Sequence, residues 1–296
     1  MSPQKRATLI ATTVATVLTI VKFAIGVASG SIAVLASAID SLLDTVISIF
    51  NFFAIKKSEE KATDRFQYGK GKVQAIAAVI EGTVITLSGV YIIYEAINKA
   101  IYDLETARLN SAIIVMIFSI IVTFVLVWYL LRVAKETNSL VIKSDALHYK
   151  TDLLSNGVIL LSLIIVYFTG LDVVDAIFGL AIGIYIIYSA YEIIEEGIFI
   201  LLDHALDSEI VAQIEKKIIQ HPKVNSYHWL KTRTDGTNNF VEFHIVLEPE
   251  MRLMEAHNIS DQIEENIKQL DTKKKWIITP HYDPYDDEDI NNEGLI

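Results

Sequence analysis

Apolar residues fill the first two thirds of the chain in blocks of spanning length, then give way near Asp203 to shorter alternating and amphipathic patterns. The blocks predict six membrane-spanning helices, at 7–29, 31–55, 73–100, 111–133, 146–168 and 173–194. About 20 residues rising roughly 1.5 Å each match the hydrocarbon thickness of a bilayer. The links after the first and fifth blocks, Gly30 and roughly 169–172, are short enough to make each flanking pair an antiparallel hairpin. From 207 onward the pattern predicts helix 208–220, strand 226–234, strand 240–247, helix 254–270 and strand 275–281. Asp235-Gly236 is a hairpin signal, and Val241, Phe243 and Ile245 alternate with Glu242, His244 and Val246 as in a sheet covered on one face. The chain therefore reads as an α-helical six-span transmembrane domain (1–206) followed by a small α+β domain of αββαβ order (207–284). An acidic tail, 285–296, is expected to be disordered.

Charge sets the expected orientation. Lys5 and Arg6, the group Lys56, Lys57, Lys61, Arg65, Lys70 and Lys72, and the group Arg132, Lys135, Lys143 and Lys150 fall on one side if every block crosses. Lys99 and Arg108 face the other side. The positive-inside rule then places both termini and the α+β domain in the cytoplasm of a multi-pass protein of the inner (plasma) membrane. No cleavable secretory signal is expected before the first block. The net charge of −11, contributed mostly after Asp203, makes nucleic acid an unsuitable partner. With 0 Cys there are no disulfides and no thiolate ligands, so a metal site has to use His, carboxylates and water.

Two blocks carry charge where none is affordable. Asp40 and Asp44 lie four apart near the middle of the second, on one helix face, and each intramembrane carboxylate costs at least about 2.5 kcal/mol on insertion scales. The pair calls for a cation, a shared proton or both. In the fifth, His148 and Asp152 repeat the spacing. Together the two helices offer three carboxylates and one imidazole, the set for a tetrahedral divalent-metal site, and the imidazole favours zinc, iron or a similar transition ion over magnesium or calcium. Lys22 is expected to snorkel toward the headgroups. Asn51 and Asn156 are expected to hydrogen-bond between helices, and Glu81 is left open as a possible proton carrier.

Six of the 7 His lie at or beyond residue 204. His228 and His244 fall on neighbouring strands, His257 on the following helix, and His281 with Asp283 at the end of the last strand, a constellation able to ligate metal. His204 and His221 are expected to be ordinary hydrogen-bonded residues.

LASAIDSLLD at 35–44, YGKGKVQAIAA at 68–78, HYKTD at 148–152, DAIFGLAIGIYIIYSA at 175–190, LLDHAL at 201–206 and the terminal HYDP at 281–284 occur in one order over nearly the whole chain. In these motifs the sequence resembles the cation diffusion facilitator family, in its bacterial zinc/iron-efflux branch. The resemblance implies six transmembrane helices, a ferredoxin- or metallochaperone-like cytoplasmic domain, a homodimer, and export of divalent metal, zinc above iron or cadmium, in exchange for protons. It implies a transport site at Asp40, Asp44, His148 and Asp152, cytoplasmic metal sites at His228, His244, His257, His281 and Asp283, and a charge interlock between Lys72 and Asp203. In the loop between the second and third blocks, Phe66 and Lys70 stand where zinc-efflux relatives carry His, so that site is expected to be absent or altered. Two other classes compete. An intramembrane aspartyl hydrolase would use Asp40 and Asp44, which one turn of the same helix places poorly around a substrate. A metal-sensing scaffold without transport would use only the C-terminal His cluster.

Overall fold

The computed structural model describes residues 1–29, 32–102, 112–169, 173–272 and 274–286. Gly30, residues 170–172 of the second short link, and all but the first two residues of the acidic tail lie outside that set. The chain divides into two units, Met1–Ile198 and Phe199–Ile296.

The first unit is built from α1 (Pro3–Ser29), α2 (Ile32–Ser58), α3 (Val73–Tyr102), α4 (Ala112–Thr137), α5 (Leu140–Thr169) and α6 (Val173–Leu201). All but α5 contain stretches long and apolar enough to cross a membrane among the described residues. α5 matches them in length, 30 residues or about 45 Å, but carries Lys143, Asp145, His148, Lys150 and Asp152 in its first half. It starts six residues before the position that hydropathy predicts, and the reason is local. Asn138 adopts the left-handed conformation (φ 49°) that ends α4, and its N–H donates to the Ala134 carbonyl at 2.8 Å. Ser139 then opens α5, its carbonyl accepting from the Lys143 N–H at 3.0 Å. Polar residues of this first stretch, Ser144 and Asp145, are hidden where α5 packs on α2, α3 and α4, so hydropathy alone does not mark them as helix.

Ala7, Ala11 and Ala15 of α1 pack with Ile55, Leu130 and Ile142 in the core of the bundle, while Phe23, Phe124 and Trp128 are more than half exposed on its outer side. Small residues bring α3 and α6 together. A Cβ on Gly183 would lie 3.0 Å from the Gly89 carbonyl oxygen, and one on Gly89 would lie 3.2 Å from that of Gly183. Such backbone approach is how helices associate in lipid, where apolar burial between them contributes little.

The second unit contains α7 (Ser208–Ile219), β1 (Ser226–Thr234), β2 (Asn238–Val246), α8 (Leu253–Lys268) and β3 (Lys275–Asp283), the predicted αββαβ order. The sheet order is β1-β2-β3, with β1 and β2 antiparallel and β2 and β3 parallel across the α8 crossover. At the hairpin, Gly236 takes φ 89° and Asp235 Oδ1 accepts from the Thr237 and Asn238 N–H groups at 2.8 and 2.7 Å. This tight turn starts β2 two residues earlier than its apolar pattern does. Val241, Phe243 and Ile245 are buried with Ile214, Ile218, Ile259, Ile263 and Ile267 from the two helices. The opposite face of β2 presents Glu242 and His244.

Candidate metal centres

In the helical unit, α2 and α5 bring Asp44, His148 and Asp152 together, one ligand atom from each lying within 4.8 Å of the others. His148 Nε2 is 3.0 Å from Asp44 Oδ1 and 4.0 Å from Asp152 Oδ2. A tetrahedron with bonds of about 2.0–2.1 Å has edges of about 3.3 Å, so these separations suit a common ion with little rearrangement. The imidazole is buried against the Tyr149 ring, whose hydroxyl lies 2.7 Å from Ser48 Oγ. Asp40, one turn before Asp44, is exposed and stands outside this trio.

The other polar residues of the helices depart from expectation in two places. Lys22 does not snorkel: its Nζ donates to Ser41 Oγ, a buried hydroxyl on α2, at 2.8 Å. Among the described residues, Asn156 bonds within its own helix, donating to the Asp152 carbonyl at 2.8 Å. Asn51 does bridge helices. Its Nδ2 donates to Glu81 Oε2 on α3 at 3.1 Å and to Asp145 Oδ1 on α5 at 3.3 Å. Sequence reasoning passed over Asp145, although it lies three residues before His148 and so shares its face of α5.

In the α+β unit, His228, His244 and His281 stand in register across all three strands. Asp283, two residues beyond His281 and on the same face of β3, reaches all of them. Its Oδ2 lies 2.8 Å from His244 Nδ1 and 3.3 Å from His228 Nε2, and its Oδ1 lies 3.2 Å from His281 Nε2. A β-bulge interrupts β1 between His228 and Lys231, with Trp229 in the left-handed region at φ 52°. A bulge re-aims the side chains beside it. Here it accompanies a His228 that is buried and a Trp229 ring set edge-on to the rings of both His228 and His244. One ligand atom from each of His228, His244 and Asp283 lies within 4.8 Å of the others, a set of imidazoles and one carboxylate that fits a zinc-type ion, while His281 meets the other oxygen of Asp283 from the exposed side. Asp286, on the far side of His228, approaches its Nδ1 at 3.6 Å and was not foreseen. His257 is not brought into this group: it lies exposed on α8 with Asp261 at 3.6 Å. His204 and His221 are ordinary hydrogen-bonding residues, with the Ala205 carbonyl at 2.8 Å and Gln262 Oε1 at 3.2 Å.

The loop between α2 and α3 is closed by charge. Glu60 accepts from Lys57 at 2.7 Å and from Lys70 at 2.6 Å, and the Lys70 ammonium sits 5.0 Å from the Phe66 ring centre. These two hydrogen bonds hold the Glu60 carboxyl at about 2, well below the usual carboxylate range. Among the described residues, no trio of potential ligands converges in this loop.

Comparison with known proteins identifies both domains. Residues 8–202 match the cation efflux transmembrane domain, and residues 206–285 match the cytoplasmic domain of cation efflux proteins. The chain is 32% identical over 279 residues to the cation-efflux pump FieF of Citrobacter koseri and 33% identical over 279 residues to that of Escherichia coli, covering 94% of this chain and 92% of each relative. Nearly full-length similarity across both domains, with convergent ligands in each, places this chain in the cation diffusion facilitator family as a membrane cation-efflux transporter rather than an enzyme.

Proposed function

We propose that the protein exports divalent transition metal, zinc foremost and iron or cadmium after it, from the cytoplasm in exchange for protons. The observation that carries this reading is the convergence of Asp44, His148 and Asp152 from two helices at separations close to a tetrahedral edge. Asp40 completes the set when the ion is present. One helical turn, about 5.4 Å, separates it from Asp44, so a cation between them is what draws both carboxylates to one point. Metal needs ionised carboxylates and neutral imidazole, so metal and protons compete for the same atoms, and that competition is the coupling. In alternating access the ion loads from the cytoplasm and leaves on the far side as protons replace it. The protein works as a homodimer in the inner membrane with both termini cytoplasmic. The His228, His244 and Asp283 group, with His281 on the far side of Asp283, serves as a cytoplasmic metal-binding site that favours the transporting form when metal is plentiful, and His257 stands outside it.

Zinc uptake into proteoliposomes under an imposed pH gradient tests this. Uptake that requires the gradient and falls to background in His148→Ala and Asp152→Ala is the expected result. Uptake indifferent to the gradient removes the antiport, transport of manganese but not zinc removes the selectivity, and retained uptake in both variants removes the site.

A further inference from the structure

The metal trio leaves two intramembrane acids unused. Glu81 and Asp145 are both buried inside the helical unit, on α3 and α5, and both accept from the single Asn51 amide. That amide has two hydrogens and both are committed. Glu81 Oε1, Asp145 Oδ2 and Asn51 Oδ1 then remain buried without a donor. The buried Ser144 hydroxyl beside Glu81 brings one more hydrogen to these three acceptors, so the cluster is still rich in acceptors and short of hydrogens. A proton on a carboxyl oxygen relieves such a deficit with no added side chain, because it turns an acceptor into a donor.

Its place in the bundle gives that proton a use. On α2, Asp44, Ser48, Asn51 and Ser58 recur at intervals of four, three and seven, which is one helix face. On α5 the matching order from the metal site is His148, Tyr149, Asp145 and Ser139, and on α3 it is Glu81 and Gln74. Beyond the acid pair the seam continues with Gln74 Nε2 donating to Ser58 Oγ at 2.9 Å and Ser139 Oγ donating to Gln74 Oε1 at 2.7 Å, all three residues buried. The seam thus runs from the metal trio through the Glu81–Asn51–Asp145 cluster to the helix ends beside Lys56 and Lys57. The titratable groups facing the cluster are His148 and Asp44 of the metal site, with Tyr149 beside Asp145. The ion pairs Arg132–Glu136 on α4 and Lys143–Glu196 between α5 and α6 lie on exposed surface.

We propose that Glu81 and Asp145, linked through Asn51, form a proton-holding pair that takes up the protons displaced as metal loads and returns them to the end of the bundle carrying Lys56 and Lys57. The proposal rests on the proton-coupled reading above. Each step moves one proton between oxygen or nitrogen atoms, and the charge of the arriving cation replaces that of the protons leaving the trio. Glu81 and Asp145 touch no transported metal; they act on its exchange partner.

The test uses full-length protein in proteoliposomes holding a pH dye, with Glu81→Gln and Asp145→Asn beside the unmodified chain. Zinc binding by calorimetry is expected to stay within about threefold in both variants, while zinc-evoked proton flux falls about tenfold or more. Infrared difference spectra of the unmodified protein, with and without zinc, are expected to show a protonated carboxyl band that is lost in Asp145→Asn, a signal that a packing role would not produce. Unmodified protein whose zinc transport ignores the pH gradient overturns the coupling and this pair with it. Gradient-driven unmodified protein with flux unchanged in the variants, or with no such band should the variants fail to fold, overturns the pair alone.

Discussion

Trp229 holds a backbone conformation that a bulky side chain avoids, at a cost of order 1–3 kcal/mol, and it does so one residue from a buried histidine that faces Asp283. No pattern of residue types announces this. The alternation around β2 makes His244 legible as a residue opposite the core, and the terminal His-x-Asp places His281 and Asp283 on one side of β3. The bulge beside His228 comes from pairing, which the sequence does not display. His257 illustrates the opposite failure, a histidine whose proximity in the chain is not proximity in the sheet. Gly183 shows a backbone constraint of another kind. A Cβ there would fall 2.5 Å from Ile93 Cγ1 and 3.0 Å from the Gly89 carbonyl oxygen. Gly183→Val is therefore expected to force α3 and α6 apart and destabilise the bundle by about 1–3 kcal/mol, as overpacking does. A lower thermal midpoint in detergent checks this, and Gly236→Ala, which meets open space at φ 89°, is a control that strains only its own turn.

Elements were legible where one physical term dominates. Five helices follow from apolar length alone, and the αββαβ order follows from alternation and one Asp-Gly turn. Hydropathy starts α5 late because Lys143, Ser144 and Asp145 break its apolar run after one turn, and Ser144 and Asp145 are there because they face other helices rather than lipid. Lys22 departs from its pattern because its partner, Ser41, lies 19 positions away in sequence and is invisible locally, whereas Asn156 finds the Asp152 carbonyl within its own helix. The loop between α2 and α3 carries a pH prediction. With its carboxyl held at about 2 against an ordinary 4.5, Glu60 favours the closed loop fully above about 4.5, and that contribution disappears as pH falls toward 2. Carboxyl NMR of Glu-labelled protein should find one glutamate titrating near 2. In Lys70→Ala that resonance should move up toward 4.5, whereas an unmoved resonance would mean that Lys57 alone sets it.

At the scale of the whole chain, two units each gather imidazole and carboxylate ligands, and the chemistry of the two sets differs in a way transport kinetics can read. The membrane trio draws on two helices, and in the proposed transport cycle its ligands act on every turnover. The cytoplasmic set draws on three strands of one small sheet, with a single carboxylate, Asp283, facing all three imidazoles. Removing that carboxylate leaves the helices untouched. Asp283→Ala is accordingly expected to lower zinc affinity of the cytoplasmic set by at least about 10-fold, since loss of a ligand costs no less than loss of a group that orients one. If the cytoplasmic set acts by favouring a transport-competent form, the same variant shifts the zinc concentration for half-maximal transport upward. Its maximal rate in saturating zinc stays within about twofold, because a coupling between sites changes populations rather than the carrier step. His148→Ala, by contrast, abolishes the rate at any zinc concentration. Measuring both variants over a zinc titration in proteoliposomes separates the roles. A shifted midpoint with preserved maximum supports regulation by the sheet, a collapsed maximum in Asp283→Ala would make the cytoplasmic ligands part of the transport path, and an unchanged curve would leave them without influence on transport.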